Sequence, residues 1–153
     1  MISMRRAEAG DIDAVYRLSN DPTVRAMSFA TEPIPYNDHV VWFEGKIHDS
    51  GTLLLVFCED NELIAQMRFS DSGEGRAEVG IAVAQAWRHK GLGATLMGMA
   101  LAELRTHGNY RTVIAKVKKG NEPSNRYFLK CGFSFIRTGV KNGVEYNEYG
   151  YQL

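Results

Sequence analysis

The fold of this chain is constrained most by the order of the segments between residues 52 and 118. Three strand-like segments, Thr52–Glu59, Glu62–Phe69 and Arg76–Val83, follow one another closely. The third leads into a helix-like segment, Leu92–Thr106, and then into a fourth strand-like segment, Thr112–Lys118. The first two are separated only by Asp60-Asn61, a two-residue turn signal, so they predict a β-hairpin. Hairpins and a strand–helix–strand unit in one chain favour a mixed sheet.

Further segments complete the pattern on both sides. They are a strand (Ile2–Ala7), a helix (Asp11–Ser19), a loop (Pro22–Tyr36), a helix capped by Asn37 or Asp38, a helix (Pro123–Lys130) and two strands (Phe133–Val140 and Val144–Tyr151). The order β-α-α-β-β-β-α-β-α-β-β predicts the α/β class, with a mixed, mostly antiparallel sheet flanked by helices. No repeat or linker interrupts the chain, so we expect one domain over residues 1–153.

The composition excludes several classes of protein. Of the 153 residues, 44% are hydrophobic, which suffices for a single core. The 18 basic and 18 acidic side chains cancel, which argues against a nucleic-acid partner. Apolar stretches such as Leu53–Cys58 are too short to span a bilayer, and the first residues lack the apolar core of a signal peptide. We therefore expect a cytoplasmic protein without a membrane partner. Cys58 and Cys131 match no disulfide framework or metal-binding spacing, so no metal is predicted.

The neutral total hides a division of charge along the chain. Residues 1–84 carry 7 basic and 14 acidic side chains, residues 85–132 carry 9 and 2, and residues 133–153 carry 2 and 2. The first segment is therefore strongly acidic and the middle segment strongly basic. Solvated lysines at the ends of helices and strands would explain the basic segment, and so would a polyanionic ligand bound there.

A strand that leads through a basic, glycine-containing turn into a helix is the first chemical motif. Glu78-Val79-Gly80-Ile81-Ala82-Val83 is followed by Arg88-His89-Lys90-Gly91-Leu92-Gly93-Ala94. Unpaired N–H groups of a first helical turn point at a bound anion, and glycine lets the backbone approach it. The spacing is neither the dinucleotide fingerprint nor a P-loop. A phosphate-binding turn and a plain connection between strand and helix both fit this pattern.

A short helix bracketed by two strands carries the second motif. It reads Asn121-Glu122-Pro123-Ser124-Asn125-Arg126-Tyr127-Phe128-Leu129-Lys130-Cys131-Gly132-Phe133. Pro123 suits the first turn of a helix and Gly132 its end. Together, Arg-x-x-Gly-x-Gly-Ala and the later Asn-x-x-Ser, ending in Lys-x-Gly-Phe, resemble the GCN5-related N-acetyltransferase (GNAT) superfamily over essentially the whole chain. The resemblance implies the acyl-CoA N-acyltransferase fold and acetyl-CoA as cosubstrate.

The resemblance assigns the cofactor to a split in the sheet. In the superfamily, the strand matching Val79–Val83 bonds the pantetheine arm, and the turn after it holds the pyrophosphate. That strand diverges from the one matching Thr112–Lys118 and leaves a V-shaped gap for the thioester. The basic middle segment agrees, because coenzyme A carries several negative phosphate charges. The residues implied for cofactor binding are Ile81, Ala82 and Val83 through their main chain, and Arg88, His89, Lys90, Gly91, Leu92, Gly93, Ala94, Asn121, Ser124, Arg126 and Phe128.

One residue departs from the superfamily pattern. Many members have Leu-Tyr-Glu-Lys before the Gly-Phe, and that tyrosine is proposed to protonate the leaving thiolate, but this chain has Phe128 there. Tyr127 lies one residue earlier, which on a helix turns its side chain by roughly 100°. Tyr127 and Ser124 are the candidates for the acid. A thiolate, whose thiol has a pKa of about 8.5, is also a tolerable leaving group without one.

Glu78 is the candidate general base. An ammonium must lose a proton before it attacks a thioester, and some superfamily members place a carboxylate at this position. Strand alternation puts Glu78, Gly80 and Ala82 on one face. The structural alternative is an ion pair with a neighbouring strand residue such as Arg68. His39 and Glu122 are weaker candidates for the base.

The acceptor is expected to bind at the segment after the first helix. The run from Leu18-Ser19-Asn20-Asp21-Pro22 onward resembles the subgroup that acetylates nucleotide-linked amino sugars in pseudaminic and legionaminic acid biosynthesis. Phe29 or Trp42 would pack on a sugar or uracil face, Arg25 would meet a diphosphate, and His39 belongs to the same candidate set. The alternative is that the aromatic residues belong to the core. The acidic first segment favours a cationic acceptor instead.

These features together predict an acetyl-CoA-dependent N-acetyltransferase in which a primary amine attacks the thioester directly, within a ternary complex. No well-placed nucleophile points to an acyl-enzyme. The predicted acceptor is the amino group of a nucleotide-linked amino sugar. A polyamine, another small amine or a protein N-terminus are the alternatives, and a CoA-binding module without catalysis is the rival. A homodimer is compatible with the sequence.

Overall fold

A single seven-stranded sheet forms the centre of the computed structural model, which describes residues 1–153. The strands are β1 (Ile2–Arg6), β2 (Thr52–Glu59), β3 (Glu62–Gly73), β4 (Arg76–Val83), β5 (Thr112–Lys118), β6 (Ser134–Lys141) and β7 (Val144–Gln152). They are ordered β1-β2-β3-β4-β5-β7-β6. Only β4 and β5 are parallel; all other neighbours are antiparallel. The predicted mixed, mostly antiparallel α/β fold is confirmed.

Five α-helices cover the two faces of the sheet. They are α1 (Ile12–Ser19), α2 (Pro22–Met27), α3 (Tyr36–Ile47), α4 (Gly93–His107) and α5 (Glu122–Lys130). On the face covered by α4 and α5, here called the α4 face, twenty buried residues form the main core. On the opposite face, here called the α1 face, Val15 of α1 and Phe43 of α3 pack against Leu54 and Val56 of β2. No helix has both the length and the apolarity needed to cross a bilayer.

Strand β2 lies between the two helical layers, which explains why its sequence is apolar without alternation. Leu53, Leu55 and Phe57 join the core of the α4 face, whereas Leu54 and Val56 join that of the α1 face. All five side chains are at most 4% exposed. A strand that lies between two helical layers must be apolar on both sides, so β2 fixes both layers to the sheet.

The sheet splits between β4 and β5. Their pairing runs from Arg76 opposite Thr112 to Val79 opposite Ala115 and then ends. Beyond that point residues 80–83 of β4 stay paired with β3, while residues 116–118 of β5 stay paired with β7. The two parallel strands thus diverge at their carboxyl ends and leave the V-shaped gap that the resemblance implied.

Apart from shifts of one residue at several element ends, three features differ from the sequence prediction. Residues 22–27, predicted as loop, form α2, because the Asp21 side chain accepts from the Thr23 N–H and Pro22 occupies the first turn. Helix α3 begins at Tyr36, after Pro35, and neither Asn37 nor Asp38 caps it. Strand β3 continues to Gly73, where a turn of residues in the left-handed region leads into β4.

Asp11 ties the first strand to the first helix. Its carboxylate accepts from Arg5 Nη1 at 2.7 Å, from Arg5 Nη2 at 2.8 Å and from the Glu8 N–H at 2.8 Å. The Arg5 guanidinium lowers the pKa of Asp11 below its ordinary value. Because this pKa is depressed, the carboxylate stabilises the fold fully above its unfolded pKa and loses that effect as the pH falls through the folded pKa.

Replacing Asp11 by Asn should therefore lower the free energy of unfolding by about 1–2 kcal/mol at pH 7. Urea unfolding at a series of pH values checks this. The difference between wild type and Asp11→Asn should shrink below about pH 4, where the unfolded carboxyl begins to protonate. Glu44→Gln, at an exposed position of α3, is the control and should change little at any pH. A difference that stays constant down to pH 2 would contradict the assignment.

Candidate active site

The wall of the gap formed by β4 exposes peptide groups that have no partner strand. The Ala84 N–H donates to the Ile64 carbonyl of β3 at 2.8 Å. Since peptide groups alternate sides along a strand, the main chain of Ile81 and Val83 faces the gap, and that of Ala82 faces β3. Ile81 and Val83 thus match their predicted role toward an extended ligand, whereas the main chain of Ala82 is directed away from it.

The turn between β4 and α4 ends in a helix N-terminus without a side-chain cap. Leu92 occupies the N-cap position and has no side-chain oxygen to accept from the first-turn N–H groups. His89 and Gly91 have φ of 59° and 73°, so the backbone of the turn enters the left-handed region twice. A glycine meets that requirement without strain at position 91. The N–H groups of the first turn of α4 are left available to an anion.

Gly93 serves packing rather than close approach to an anion. A Cβ at this position would lie 2.4 Å from the Tyr127 ring of α5. The Tyr127 hydroxyl donates to the Gly93 carbonyl at 2.8 Å, and burial raises the pKa of Tyr127 far above its usual range. The structure therefore argues against Tyr127 as the proton donor to the thiolate, since its hydroxyl proton is used in the hydrogen bond to the Gly93 carbonyl.

Three cations surround this helix N-terminus. Arg88 donates from Nε to the Val83 carbonyl at 2.9 Å and from Nη1 to the Thr23 hydroxyl of α2 at 2.8 Å. Lys90 Nζ lies 5.4 Å from the centre of the Trp87 ring. Arg126 extends from α5, 69% exposed, and pairs loosely with Glu122. Exposed cations beside unpaired N–H groups fit a ligand with several phosphate charges.

The N-terminus of α5 borders the gap from the β5 side. The Asn121 side chain accepts from the Ser124 N–H at 3.3 Å, so Asn121 caps the helix. Asn125, which was not among the predicted residues, donates to the Lys118 and Asn121 carbonyls and accepts from Asn147 of β7. These bonds hold the helix end against β5 and β7 and leave the Ser124 hydroxyl free.

Phe128 was predicted to contact the cofactor, but the structure places it in the core. It is 3% exposed and packs against the rings of Tyr127, Phe133 and Tyr149. An apolar ring in the core of the α4 face does not line the gap. The phenylalanine at the position of the superfamily tyrosine therefore serves packing in the core. Ser124 remains as the candidate acid.

Glu78 and Lys116 lie on the α1 face of the sheet on opposite sides of the gap. The Glu78 carboxylate is 3.2 Å from Lys116 Nζ, and the two side chains are 35% and 29% exposed. Lys116 Nζ also lies 5.7 Å from the centre of the Tyr146 ring. The ion-pair partner of Glu78 is thus Lys116 and not Arg68, and the carboxylate remains accessible to a small molecule.

Helix α2 and the loop after it cover the gap on the α1 face. Lys118 Nζ donates to the Ala26 carbonyl at 3.2 Å, and the Phe29 ring packs edge-on against Tyr146 with centres 5.8 Å apart. Arg25, predicted to meet a diphosphate, donates instead to the Glu32 carbonyl at 2.9 Å and to the Ala30 carbonyl. Arg25 therefore holds this loop in place, while Phe29 packs against Tyr146, whose ring also lies beside Lys116.

His39 is a core residue, contrary to its predicted place in the acceptor site. It is 2% exposed, and its Nε2 lies 2.8 Å from the Ile12 carbonyl. Aromatic rings of Tyr16, Tyr36, Trp42 and Phe43 surround it. The fourth predicted acceptor residue, Trp42, is half-buried beside Arg68 of β3, whose guanidinium carbon is 5.5 Å from the ring centre.

The comparisons with known proteins agree with this geometry. Residues 12–133 match the acetyltransferase (GNAT) family. A Bacillus subtilis (strain 168) protein with the name "Putative phosphinothricin acetyltransferase" is 31% identical over 140 residues, covering 87% of this chain and 84% of the relative. The L-amino acid N-acetyltransferase of Escherichia coli (strain K12) is 24% identical over 152 residues, covering 97% and 92%. The spermidine N-acetyltransferase of Vibrio cholerae, solved with CoA and spermine, matches with a TM-score of 0.88 at 19% identity, covering 99% of this chain and 95% of that one.

A sheet split between two parallel strands, with an uncapped helix N-terminus beside the split, defines the acyl-CoA N-acyltransferase fold. The chain belongs to the GNAT acetyltransferase family and is an acetyl-CoA-dependent N-acetyltransferase. The predicted superfamily is confirmed. The nucleotide-amino-sugar subgroup is not the one found, since the two relatives are named for phosphinothricin and for amino acids.

Replacing Tyr127 by Phe should leave catalysis intact, because the lost hydroxyl bonds the Gly93 carbonyl and the Cys131 thiol, neither of which is a candidate catalytic group. We expect kcat within about threefold of wild type and a loss of about 1 kcal/mol in stability. Release of free thiol from acetyl-CoA, followed from pH 6 to 10, measures the first, and thermal unfolding the second. Ser124→Ala is the paired variant at the other candidate acid. A fall in kcat of about 100-fold for a folded Tyr127→Phe would restore Tyr127 as the acid.

Proposed function

We propose that this chain transfers the acetyl group of acetyl-CoA to the primary amine of a small, amino-acid-like acceptor within a ternary complex. The observation that carries the proposal is the position of Glu78. It is an accessible carboxylate on the α1 face, at the point where β4 and β5 separate. The gap beside it is lined by main-chain groups of Ile81 and Val83, and of these the Val83 carbonyl accepts from Arg88.

The residues around the gap fit acetyl-CoA in two ways. The N–H groups of the first turn of α4, with Arg88 and Lys90, would bind the pyrophosphate, and Arg126 supplies a further exposed cation. The main-chain groups of Ile81 and the N–H of Val83 would bind the pantetheine amides, since the Val83 carbonyl already accepts from Arg88. When bound, acetyl-CoA supplies an acetyl group activated as a thioester.

Glu78 would take the proton that the acceptor ammonium must lose, directly or through water. Lys116, 3.2 Å away, holds the carboxylate at the gap. The neutral amine nitrogen then forms its bond to the acetyl carbon as the carbon–sulfur bond breaks, and the electron pair leaves with sulfur. The free hydroxyl of Ser124, at the opposite wall, is placed to supply a proton to that sulfur.

Direct transfer is favoured over an acyl-enzyme. Cys131 follows α5, is half-buried, and has its pKa raised by burial, so it is held as a thiol. Its neighbour Tyr127 contributes a hydrogen bond that opposes this shift. A thiol that is not readily ionised is a poor nucleophile, and Cys58 lies on β2, away from the gap.

The acceptor class rests on the relatives and on local contacts. A relative named as an L-amino acid N-acetyltransferase covers 97% of this chain. A nucleotide-linked amino sugar, the acceptor first predicted, has lost support, because Arg25 is bonded within its own loop and His39 is buried. The acidic first segment gives no argument for a polyamine, because several of its carboxylates, among them Asp11, Asp21 and Asp49, form local caps and ion pairs.

Release of thiol from acetyl-CoA with a panel of L-amino acids, polyamines, amino-sugar nucleotides and peptides tests the proposed function. We expect turnover with free amino acids or close analogues and weaker turnover with the other classes. Calorimetry with acetyl-CoA is run beside it. Binding of acetyl-CoA without turnover of any acceptor would support the rival, a CoA-binding module. The absence of binding at high micromolar acetyl-CoA would overturn the proposal.

Replacing Glu78 by Gln should lower kcat by about 100- to 1,000-fold, because the base is lost while the shape of the side chain is kept. The rate of the variant should then rise with pH, as more of the acceptor is already a neutral amine. Glu74→Gln is the matched control: Glu74 also pairs with a cation, Arg76, at 3.3 Å, but at the other end of β4. An unchanged pH–rate profile in Glu78→Gln would exclude this residue as the base.

A further inference from the structure

Arg68 of β3 is a half-buried cation without a carboxylate partner. It lies opposite Gly80 of β4 in the sheet register, on the α1 face. Burial lowers its pKa, and the only charge that acts against this effect is the more distant Glu78. Glu78 itself is paired with Lys116. A guanidinium removed from water without an anion is unfavourable, so a residue of this kind calls for a functional explanation.

The residues around Arg68 leave space for its guanidinium at the gap. A Cβ at Gly80 would lie 2.8 Å from Arg68 Nη2, so only glycine opposite Arg68 admits the side chain in this position. On the other side the guanidinium carbon lies 5.5 Å from the centre of the Trp42 ring. Trp42 and Gly80 thus hold the guanidinium on the α1 face, two residues along β4 from Glu78.

The charges at the gap do not balance within the protein. Two cations, Arg68 and Lys116, share one carboxylate, Glu78, and Lys118 binds only the Ala26 carbonyl. The next carboxylate, Glu148 opposite Lys116, is already paired with Arg137 at 3.2 Å. An excess of positive charge next to the proposed base would hinder a purely cationic amine such as a polyamine. It would suit a molecule that carries an anionic group together with its amine.

A buried acceptor oxygen on the same strand face points to a ligand as well. Gln66, two residues before Arg68, is 7% exposed and donates from Nε2 to the Ser19 hydroxyl at 2.7 Å. Its Oε1 is buried and has no partner in the protein. Gln66 thus has an acceptor oxygen without a donor, and Arg68 has a guanidinium without an anion. Two such neighbouring groups can together bind a small zwitterion.

We infer that Arg68 is the residue that selects the acceptor, by binding its anionic group, and that the acceptor is an amine carrying a carboxylate or a similar oxyanion. The inference rests on the proposed function and names the acceptor class of the same site. A planar guanidinium can bind both oxygens of a carboxylate, which fixes the orientation of the molecule as well as its position. The ammonium of the same molecule then faces Glu78.

Steady-state kinetics with matched acceptors tests this inference. For each L-amino acid that is a substrate, the probes are the acid itself, its carboxamide, and the amine that lacks the carboxyl group. Arg68→Met keeps the apolar stem beneath Trp42 and removes the charge. We expect it to lower kcat/KM about 100-fold for the acids, mainly through KM, and to change the two neutral probes by less than about threefold. Taking the ratio of variant to wild type for each probe removes differences in amine basicity.

Two further variants separate selection from a merely structural role. Arg6→Met removes a cation of the edge strand β1, where it pairs with Glu103 of α4, and should leave every ratio near one. Gly80→Ala keeps all charges but displaces the Arg68 guanidinium, so it should weaken the acids and spare the neutral probes. Thermal unfolding without acceptor gives a second readout. Arg68→Met should unfold at the same or a higher temperature, because an uncompensated charge is gone.

The outcomes distinguish this inference from the proposed function. If acids and neutral probes weaken equally in Arg68→Met, or if wild type shows no preference for the acids, Arg68 does not select the acceptor although the chain remains an acetyltransferase. If no amine releases thiol and acetyl-CoA does not bind, the proposed function fails instead. A variant that loses stability and all activity together would show a structural role for Arg68 and overturn the inference.

Discussion

The end of hydrogen bonding between β4 and β5 after Val79 and Ala115 is the constraint on which the rest of the site depends. Two parallel strands that separate leave peptide groups without partners, and buried peptide groups need partners. The remaining pairs of each strand, with β3 and with β7, keep the split strands straight and rigid. A ligand with its own amide groups can then complete the ladder, so the defect in the sheet becomes a binding site.

The uneven distribution of charge has two separate causes. The basic middle segment places Arg88, Lys90 and Arg126 around one helix N-terminus, where a single polyanion would satisfy them together. The acidic first segment is dispersed, because several of its carboxylates cap turns or pair locally, as Asp11 and Asp21 do. Net charge over a long segment therefore agrees with a polyanion at this helix end but carries little information on the acceptor, which responds to the few charges within reach.

Local sequence rules predicted most of the elements, because turns, caps and alternation depend on neighbouring residues. The role of the two motifs toward the cofactor came instead from the resemblance to the superfamily. They failed where the outcome depends on packing between distant segments. The hydroxyl of Tyr127 bonds an atom 34 residues earlier in the chain, and Phe128 lies within the core beside Tyr149. Nothing adjacent to His39 signals that it is buried against Ile12. From the sequence, Arg68 is expected to pair with Glu78. The structure shows that Lys116 pairs with Glu78 instead, which leaves Arg68 without a carboxylate partner.

The two faces of the sheet carry different parts of the site. The helix N-terminus and the core behind it lie on the α4 face, whereas Gln66, Arg68 and Glu78 project from the α1 face of β3 and β4. Successive side chains of a strand point to opposite faces, so a substitution on the α1 face of β3 leaves the main core untouched. Single substitutions on the α1 face can therefore change the range of acceptors while the cofactor side of the sheet stays the same.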